Sequence, residues 1–514
     1  MNQFRARVAR SLMRAFRPGG RPRRASGSLS LAERVAVNFS AQLGAQLILA
    51  VGGLISVAVT TRYLDLRHYG ALITALVFVS LFTIVTDFGI TTIGGREIAK
   101  APHHRRRILS SIGLVVAAIS LLAFAAAIGV AHIAYAGPGG RDVRLAILIL
   151  VPQLLIIGPR SAAQADLISQ QKIYLSSLAA VATRIVTLGL VIAVVEADLG
   201  FLPMTAAYAA FPILGGVVTI ALARTGLPRL REWDRSLAVE LLKASAPLGG
   251  VIVLNYLYFR LDLFLLSILA TKTDVALYGV AYKVIEMLIL VPSYIMITLF
   301  PTIAAAPPFS EQLRNLVQSA FTVMQFIAVP LIAVSFFSGQ ILQFIAGEQY
   351  EHASLALQLL MCGMALGFLQ QVIGYTLVAL NRQTWALFAL AAVLVLNLTL
   401  NLILIPLFAI DGAAIALVGS EAASLALILV VYSRIGHLPT LHQPIKLLAA
   451  GATMLGLILA TRETLGSTVS PLATLAAGGI LSFGAYVLVL KQLGAVPPAA
   501  TAAMSNLIGR MRHA

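Results

Sequence analysis

Four ionisable residues, Arg260, Asp262, Lys283 and Glu286, interrupt two apolar runs on either side of a polar turn at 271–274. If both runs are helices, Asp262 and Lys283 lie roughly 12 to 15 Å from the turn, and Arg260 and Glu286 roughly 16 to 20 Å. Opposite charges therefore meet at matching levels, which predicts the pairs Asp262–Lys283 and Arg260–Glu286. A charge that faces hydrocarbon costs at least about 2.5 kcal/mol. Two interpretations stay open: ion pairs that lock a helical hairpin, or the wall of a polar pathway.

Three further charged residues fall in apolar runs. Arg184 offers the forked donors that match phosphate oxygens, although it could instead bond to carbonyls or to a carboxylate on another helix. Glu421 could bind a proton or a cation, or be a protonated core residue. Asp87 comes shortly before Arg96, which favours a salt bridge at the membrane rim. The acids predicted to serve ion coupling or gating are Asp262, Glu286, Glu421 and Asp87.

Polar residues also recur at helical spacing. One stripe is Asn38, Gln42 and Gln46, and another is Asn255, Tyr258 and Asp262. We expect both stripes to face a space between two helical lobes, and polar packing between helices is the alternative. The residues predicted to bind substrate are Arg184, Arg260, Lys283, Asn38, Gln42, Gln46 and Asn255.

The composition indicates a polytopic, all-α membrane protein. Hydrophobic residues make up 59% of the 514, charged residues 11%, and mean hydropathy is +0.92, whereas about a quarter of residues are charged in soluble domains. The net charge of +17 reflects loops and a tail, so it indicates topology rather than a nucleic-acid partner. The lone cysteine, Cys362, cannot form an internal disulfide or a cysteine metal cluster. No metal and no cofactor is expected, and no removable signal sequence is evident.

Fourteen apolar runs are long enough to cross a membrane. They are 36–61, 70–93, 108–134, 143–164, 173–195, 203–223, 246–270, 275–305, 316–345, 354–380, 384–407, 411–433, 445–462 and 469–490. Both termini then lie on one side. The opposite loops hold few of the 37 basic residues, namely Arg62, Arg67, Arg141, Arg144, Lys272 and Arg462. This asymmetry predicts cytoplasmic termini.

The first 31 residues carry eight arginines and no acid. Phe4, Val8, Leu12 and Phe16 recur every fourth residue among these arginines. A basic amphipathic helix on an anionic membrane surface fits this pattern, and a disordered tail fits it equally.

Short sequences repeat at offsets of about 209 to 213 residues. His68-Tyr69-Gly70-Ala71 recurs as Leu277-Tyr278-Gly279-Val280, and Asp198-Leu199-Gly200 corresponds to Asp411-Gly412. Six helices are therefore predicted to be duplicated in parallel, which suits alternating access. The predicted organisation is a basic tail (1–34), an N-lobe (35–223), a linker (224–244), a C-lobe (245–433) and a last part with two helices and a tail (434–514).

The first outer loop carries a family resemblance. Thr61-Arg62-Tyr63-Leu64-Asp65-Leu66-Arg67-His68-Tyr69-Gly70, with Thr86-Asp87-Phe88-Gly89-Ile90 and Gly95-Arg96-Glu97-Ile98-Ala99, resembles the O-antigen and exopolysaccharide flippases of the multidrug/oligosaccharidyl-lipid/polysaccharide (MOP) exporter superfamily. Arg260-Leu261-Asp262 is similar to that family's Arg-x-Asp. The resemblance implies fourteen helices, two six-helix lobes around a cavity, and movement of an undecaprenyl-pyrophosphate-linked oligosaccharide to the outer leaflet of the bacterial inner membrane.

Three functions compete. A flippase would hold an anionic head group near Arg184, Arg260 and Lys283, would couple to H⁺ or Na⁺, and would work with a polysaccharide polymerase. A drug/cation antiporter of the same superfamily would favour an acidic cavity. A membrane glycosyltransferase or polymerase would need larger outer loops than the ten residues around 135–144. No Gly-Lys-Ser/Thr motif for ATP hydrolysis is present, so we expect a transporter and not an enzyme.

Overall fold

The computed structural model describes residues 31–224, 228–434, 436, 438–466 and 469–496, with the backbone alone for residues 31–41 and 138. Across these residues the chain is α-helical with short 3-10 turns and without strands. The helices are α1 (Leu31–Tyr63), α2 (Leu66–Asp87), α3 (Ile90–Lys100), α4 (Arg105–Ala134), α5 (Arg141–Leu150), α6 (Ile157–Ser169), α7 (Ile173–Glu196), α8 (Phe201–Ala223), α9 (Arg235–Leu269), α10 (Lys272–Leu288), α11 (Leu290–Ala305), α12 (Glu311–Val334), α13 (Ser338–Ala346), α14 (Ser354–Ala379), α15 (Gln383–Ser433), α16 (Pro444–Leu465) and α17 (Pro471–Gln492).

Thirteen stretches of the described chain are long and apolar enough to cross a membrane. One of them, α15, has 51 residues, and a straight helix of that length would be about 76 Å long, more than twice the hydrocarbon thickness. It folds back on itself at Ala409, whose φ is 48°. Asn397 accordingly donates a 3.0 Å hydrogen bond to the Ser420 hydroxyl. Counted in this way, the described residues contain fourteen candidate spans, and the predicted fold class is confirmed.

Helices dominate because a backbone in hydrocarbon must satisfy its own hydrogen bonds. Buried hydroxyls follow the same rule: Ser56 donates to the Gly52 carbonyl one turn earlier. Helix ends use polar caps, as at α10, where Thr271 and Asp274 form a reciprocal capping box. Large apolar side chains such as Leu122 and Ile133 are exposed on the helix surfaces, as expected of a protein whose surroundings are lipid.

Unit 1 comprises the described residues up to Ser56 together with Phe78–Val253. Its second span breaks at Phe88 and Gly89, which both have positive φ, and this break separates α2 from α3. Gly249 of α9 packs closely against this break. A Cβ at this position would lie only 2.6 Å from the Phe88 carbonyl oxygen, and glycine has none. α4 and α6 are joined by Arg105, which donates twice to the fully buried Asp166 at 2.5 and 2.8 Å.

Unit 2 comprises Val57–Val77 and the described residues from Leu254 onwards. α12, α16 and α17 share an apolar core that includes Phe337, Met454 and Tyr486, and the Tyr486 hydroxyl donates to the Phe326 carbonyl at 3.1 Å. The end of α1 and the start of α2 belong to this unit although the remainder of both helices belongs to unit 1. The lobe and tail boundaries derived from the sequence stay predictions.

Two turns support the internal repeat. Gln171 and Asn381, which precede α7 and α15, have φ values of 58° and 59°. The next residue donates to a carbonyl five residues earlier at 2.8 Å in each turn, from Lys172 to Leu167 and from Arg382 to Leu377. The same left-handed turn thus recurs at an offset within the predicted range.

Candidate functional site

The helical hairpin of α9 and α10 holds one of the two predicted ion pairs. Arg260 on α9 lies 2.5 Å from a carboxylate oxygen of Glu286 on α10. Lys283 lies 2.6 Å from the other oxygen of the same carboxylate, as its spacing of three residues along α10 allows. The three side chains are between 25% and 35% exposed. Two cations therefore share one anion, and the trio keeps a net positive charge.

The predicted pairing of Asp262 with Lys283 is wrong. Asp262 is 3% exposed, accepts a 2.6 Å hydrogen bond from the Tyr278 hydroxyl and accepts a 2.7 Å bond from the Leu263 backbone N–H. Matching depth did not produce a contact, because Asp262 turns towards Tyr278 whereas Lys283 turns towards Glu286. Tyr282, one turn after Tyr278, donates to the Phe259 carbonyl.

Glu421, in the second half of α15, is also buried, with 4% exposed. One of its oxygens accepts a 2.8 Å bond from the Tyr258 hydroxyl of α9, and the other is buried without a hydrogen-bond partner among the described residues. A Cβ at Gly367 of α14 would lie 3.1 Å from that second oxygen. Unit 2 thus contains two buried carboxylates that each bind a tyrosine hydroxyl.

Arg184 of α7 lies in unit 1 without an ion-pair partner in the part of the chain that the structure describes. Its guanidinium sits 4.0 Å from the centre of the Phe211 ring of α8, and its Nε is buried without a hydrogen bond. A Cβ at Gly52 of α1 would lie 2.8 Å from the Arg184 Cγ, so only glycine leaves room for the aliphatic stem. Arg184 is therefore held by packing and by a ring face, and its hydrogen-bond donors are not used by a carboxylate.

Asp87 does not form the predicted rim salt bridge. Arg96 instead pairs with Glu97 at 3.2 Å. Asp87 accepts hydrogen bonds from the Thr91 hydroxyl of α3 and from Ser161 of α6 at 2.9 Å. The break at Phe88 and Gly89 explains the difference, because α3 starts in a new direction and carries Arg96 away from Asp87.

The predicted amide stripes differ in exposure. Gln42, Gln46 and Asn255 are exposed in the structure, whereas Tyr258 is buried. The side chain of Asn38 and the basic tail at residues 1–30 lie outside the described residues. The assignment of these amides to a binding surface stays a prediction.

Unit 1 has a polar cavity of about 600 Å³ between the end of α3, the start of α4 and the start of α9. Its basic lining residues include Arg96, Lys100 and Arg107, and Arg107 lies 2.5 Å from Asp234. Hydrogen bonds from the Ser236 hydroxyl and the Leu237 backbone lower the pKa of the Asp234 carboxyl. The cavity is lined by both signs of charge and lies at the end of the spans predicted to be cytoplasmic.

A model of a protein family described as "Polysaccharide biosynthesis protein" matches residues 34–306, which is more than half of the chain. The chain belongs to this family. The resemblance drawn from the first outer loop is therefore confirmed, and the matched region contains every predicted site residue except Glu421.

Relatives of this polysaccharide biosynthesis protein include the probable low-salt glycan biosynthesis flippase Agl15 of Haloferax volcanii, 29% identical over 176 residues. The alignment covers 34% of this chain and 37% of that relative, so the chain matches well under half of the relative's length. Among solved structures, the lipid II flippase MurJ in an inward closed conformation superposes with a TM-score of 0.69, 14% identity, and coverage of 88% of this chain and 99% of that one.

A multidrug resistance MATE family transporter of the MOP superfamily, in an inward-facing conformation, superposes with a TM-score of 0.60 and 17% identity, covering 78% of this chain and 98% of that one. These likenesses show a shared fold. The chain thus shares the helical fold of these two transporters.

Sequence reasoning did not single out several polar residues of this family member. Arg160 of α6 lies within the span Arg141–Ser169 and near enough to Asp87 for their charges to interact. Tyr278 and Tyr282 were not recognised as partners of polar groups on α9. Both tyrosines follow Asp262 at distances that a hairpin makes neighbours, which is the signal that could have found them.

Proposed function

We propose that this chain is a flippase that moves an undecaprenyl-pyrophosphate-linked oligosaccharide across the bacterial inner membrane by alternating access, for cell-surface polysaccharide synthesis. Membership in the polysaccharide biosynthesis family and the MOP fold support this proposal. The flippase named among the relatives supports the glycan class of cargo. On this proposal the protein is a transporter, and its chemistry is binding and release rather than bond making.

The observation that carries the proposal is the state of Arg184. A cation inside a membrane span normally pairs with an acid, but Arg184 has only the Phe211 ring and a buried Nε without a partner in the described chain. A guanidinium in this condition has donors free for phosphate oxygens, which it binds in a forked geometry. A pyrophosphate head group would supply the missing negative charge during transport.

Arg260 and Lys283 support the same assignment in unit 2. Because both cations share the single carboxylate of Glu286, the trio keeps one positive charge that an anionic cargo can neutralise. The exposed amides of Gln42, Gln46 and Asn255 have the donors and acceptors needed to bind saccharide hydroxyls, and Asn38 is proposed to act with them. Asp87 and Glu286 are proposed as gating residues because each binds a side chain of another helix: Asp87 binds Ser161, and Glu286 binds Arg260.

We assign coupling to H⁺, with Na⁺ as the alternative, and place it on Asp262 and Glu421. Burying an ionised carboxylate without a cation is costly, so both groups favour a bound proton or cation. Glu421 has one oxygen without a partner within the described residues, and this oxygen can carry that proton.

The test is delivery of the lipid-linked saccharide to the outer leaflet in a deletion strain that accumulates the undecaprenyl-linked glycan. Arg184→Ala, Arg260→Ala and Lys283→Ala should each abolish delivery while the protein still reaches the membrane. Arg231→Ala, an exposed arginine of the linker, is the matched control and should transport normally. Full transport by all three site variants would reject the assignment.

A drug/cation antiporter of the same superfamily is the second candidate. The two buried carboxylates of unit 2 favour it, whereas Arg184 and Arg160 count against an organic cation as cargo. Uptake of a fluorescent organic cation into inverted vesicles separates the candidates: the flippase assignment expects none above vesicles without the protein. A glycosyltransferase or polymerase activity would instead appear as sugar transfer by the purified protein, and none is expected.

The proposed location is the inner membrane with both termini in the cytoplasm and the basic tail on the anionic membrane surface. A polysaccharide polymerase is the proposed partner on the outer side. Reporter fusions at both ends test the topology. A reporter enzyme that is active only in the periplasm should be inactive when it is fused to either terminus.

A further inference from the structure

The Thr61-to-Gly70 motif of the first outer loop carries the family resemblance but has no part in the site described above. Its residues lie in unit 2, packed against parts of the chain more than 200 positions later. We infer that Arg62 and its neighbours form a latch that holds the end of α1 and the start of α2 against α10 and α13 and that detaches during transport. This inference rests on the proposed function, because a latch matters only in a protein that alternates.

Arg62 binds the end of a short helix. Its two terminal nitrogens donate to the Phe344 carbonyl at 2.7 Å and to the Ile345 carbonyl at 2.8 Å. These carbonyls belong to the last turn of α13, where helical hydrogen bonds run out. A cation at this end also interacts favourably with the helix dipole. Arg62 thus supplies the hydrogen bonds that α13 lacks.

Three further contacts lie beside Arg62. Gln349 donates its side-chain amide to the Thr61 carbonyl at 3.2 Å. The Tyr69 ring meets the Tyr350 ring edge-on, with centroids 6.1 Å apart, and both rings are buried. Gly70 approaches the backbone of Lys272 so closely that a Cβ would lie 1.9 Å from its carbonyl oxygen. The motif therefore touches the start of α10 and the segment after α13 together.

The chemistry of these contacts suits a reversible attachment. Arg62 is exposed, so water can replace its hydrogen bonds when they break. The hydrogen bonds that Arg62 and Gln349 donate across this contact go to backbone carbonyls. The part of α1 and α2 in unit 2 begins at Val57 and ends at Val77, and the flanking residues Ser56 and Phe78 belong to unit 1. The latched segment is therefore continuous with unit 1 at both of its ends.

A disulfide can report the latch directly. A Cβ on Gly279 would lie 3.7 Å from the Cβ of Ile73, within the range of Cβ separations found in disulfides. The pair Ile73→Cys and Gly279→Cys, in a Cys362→Ala background, joins α2 to α10 and leaves Arg62 in place. We expect rapid crosslinking by a mild oxidant, loss of flipping in the crosslinked protein, and recovery after a reductant is added.

Arg62→Ala in the same background should slow crosslinking about tenfold, because two charge-assisted hydrogen bonds are lost from the latched state. Arg62→Lys keeps the charge but replaces the two terminal nitrogens with a single ammonium, so it should give a smaller decrease. Arg141→Ala, an exposed arginine of the next outer loop, is the matched control and should crosslink at the parental rate.

Two results would overturn the latch. If the crosslinked protein flips the saccharide at the full rate, the contact is permanent and is not a latch. This measurement does not depend on whether an Arg62 variant folds. Equal crosslinking rates for Arg62→Ala and the parent would remove Arg62 from the latch. Crosslinking requires no cargo, so failure of the uncrosslinked parent to flip the saccharide would instead reject the proposed function.

Discussion

The two units treat their predicted cargo-binding cations in opposite ways. Unit 1 holds Arg184 against a ring face with no carboxylate beside it among the described residues. Unit 2 compensates its charges locally: Glu286 binds Arg260 and Lys283, and the carboxylates of Asp262 and Glu421 each accept from a tyrosine. If the two halves share the scaffold that the sequence repeat predicts, this difference arises from side chains and not from the fold.

The comparison predicts that the compensated residues stabilise the fold, whereas Arg184 is proposed to bind a ligand. Removing one member of a compensated cluster leaves a charge or a polar group unpaired, which lowers the free energy of unfolding. Removing a cation that has no anion to lose should cost little stability. Four substitutions test this distinction by free energies of unfolding measured in detergent and denaturant titrations.

Glu286→Gln should have the largest effect on stability. It leaves Arg260 and Lys283 without their carboxylate, and we expect the free energy of unfolding to fall by about 3 kcal/mol. Glu463→Gln, at an exposed acid of α16, is the control and should change it by less than about 0.5 kcal/mol. If Glu286→Gln costs no more than this control, the trio is solvated and unit 2 is not compensated as described.

Tyr258→Phe should rank second. It removes the hydroxyl that donates to Glu421 and leaves a buried carboxyl without a partner, at a cost of about 2 kcal/mol. Tyr256→Phe on the same helix serves as the control. In a Glu421→Leu background the same tyrosine substitution should cost clearly less, and equal costs in both backgrounds would show that Tyr258 does not act through Glu421.

Phe211→Leu should rank third, because a cation–π contact of this kind is worth about 1 kcal/mol. Phe211→Tyr keeps an aromatic face and should retain most of the stability. A double-mutant cycle with Arg184→Met measures the coupling between ring and guanidinium, and a coupling of zero would mean that Phe211 packs without holding Arg184.

Arg184→Met removes the same ring contact but leaves no anion without its partner, so it should change the free energy of unfolding least, by no more than about 1 kcal/mol. Arg105→Met is the contrasting variant in the same unit: it strips the fully buried Asp166 of its guanidinium and should cost about 3 kcal/mol. An Arg184 variant as unstable as the Arg105 variant would show that Arg184 has a structural role and would erase the contrast between the units.

The sequence predicted the spans well because a run of apolar residues is a local signal. It also predicted the Arg260–Glu286 pair, since the turn at 271–274 fixes the depth of both residues. Depth alone failed for Asp262, whose partner depends on the rotation of α9 and α10 about their axes. A difference of two residues turns a side chain to the opposite side of a helix, and hydropathy holds no information on that rotation.

The break between α2 and α3 was not predicted for a related reason. Phe88 adopts a left-handed conformation that its residue type does not favour, and the close packing of Gly249 against it involves a contact distant in sequence. Because of that break, Asp87 and Arg96 do not form the predicted salt bridge. Local patterns could place both residues near one end of a span, but only tertiary packing decides which neighbours they meet.

The fold-back of α15 at Ala409 has a practical consequence for mapping this protein. Gly412 lies so close to the Leu404 carbonyl that a Cβ there would be 2.2 Å from its oxygen, so the connection has almost no loop that a protease, an antibody or a water-soluble label could reach. Methods that count loops by accessibility will miss two crossings together and still report the correct sidedness for both ends. An inserted tag at this position would have to unwind a helical turn before it became visible.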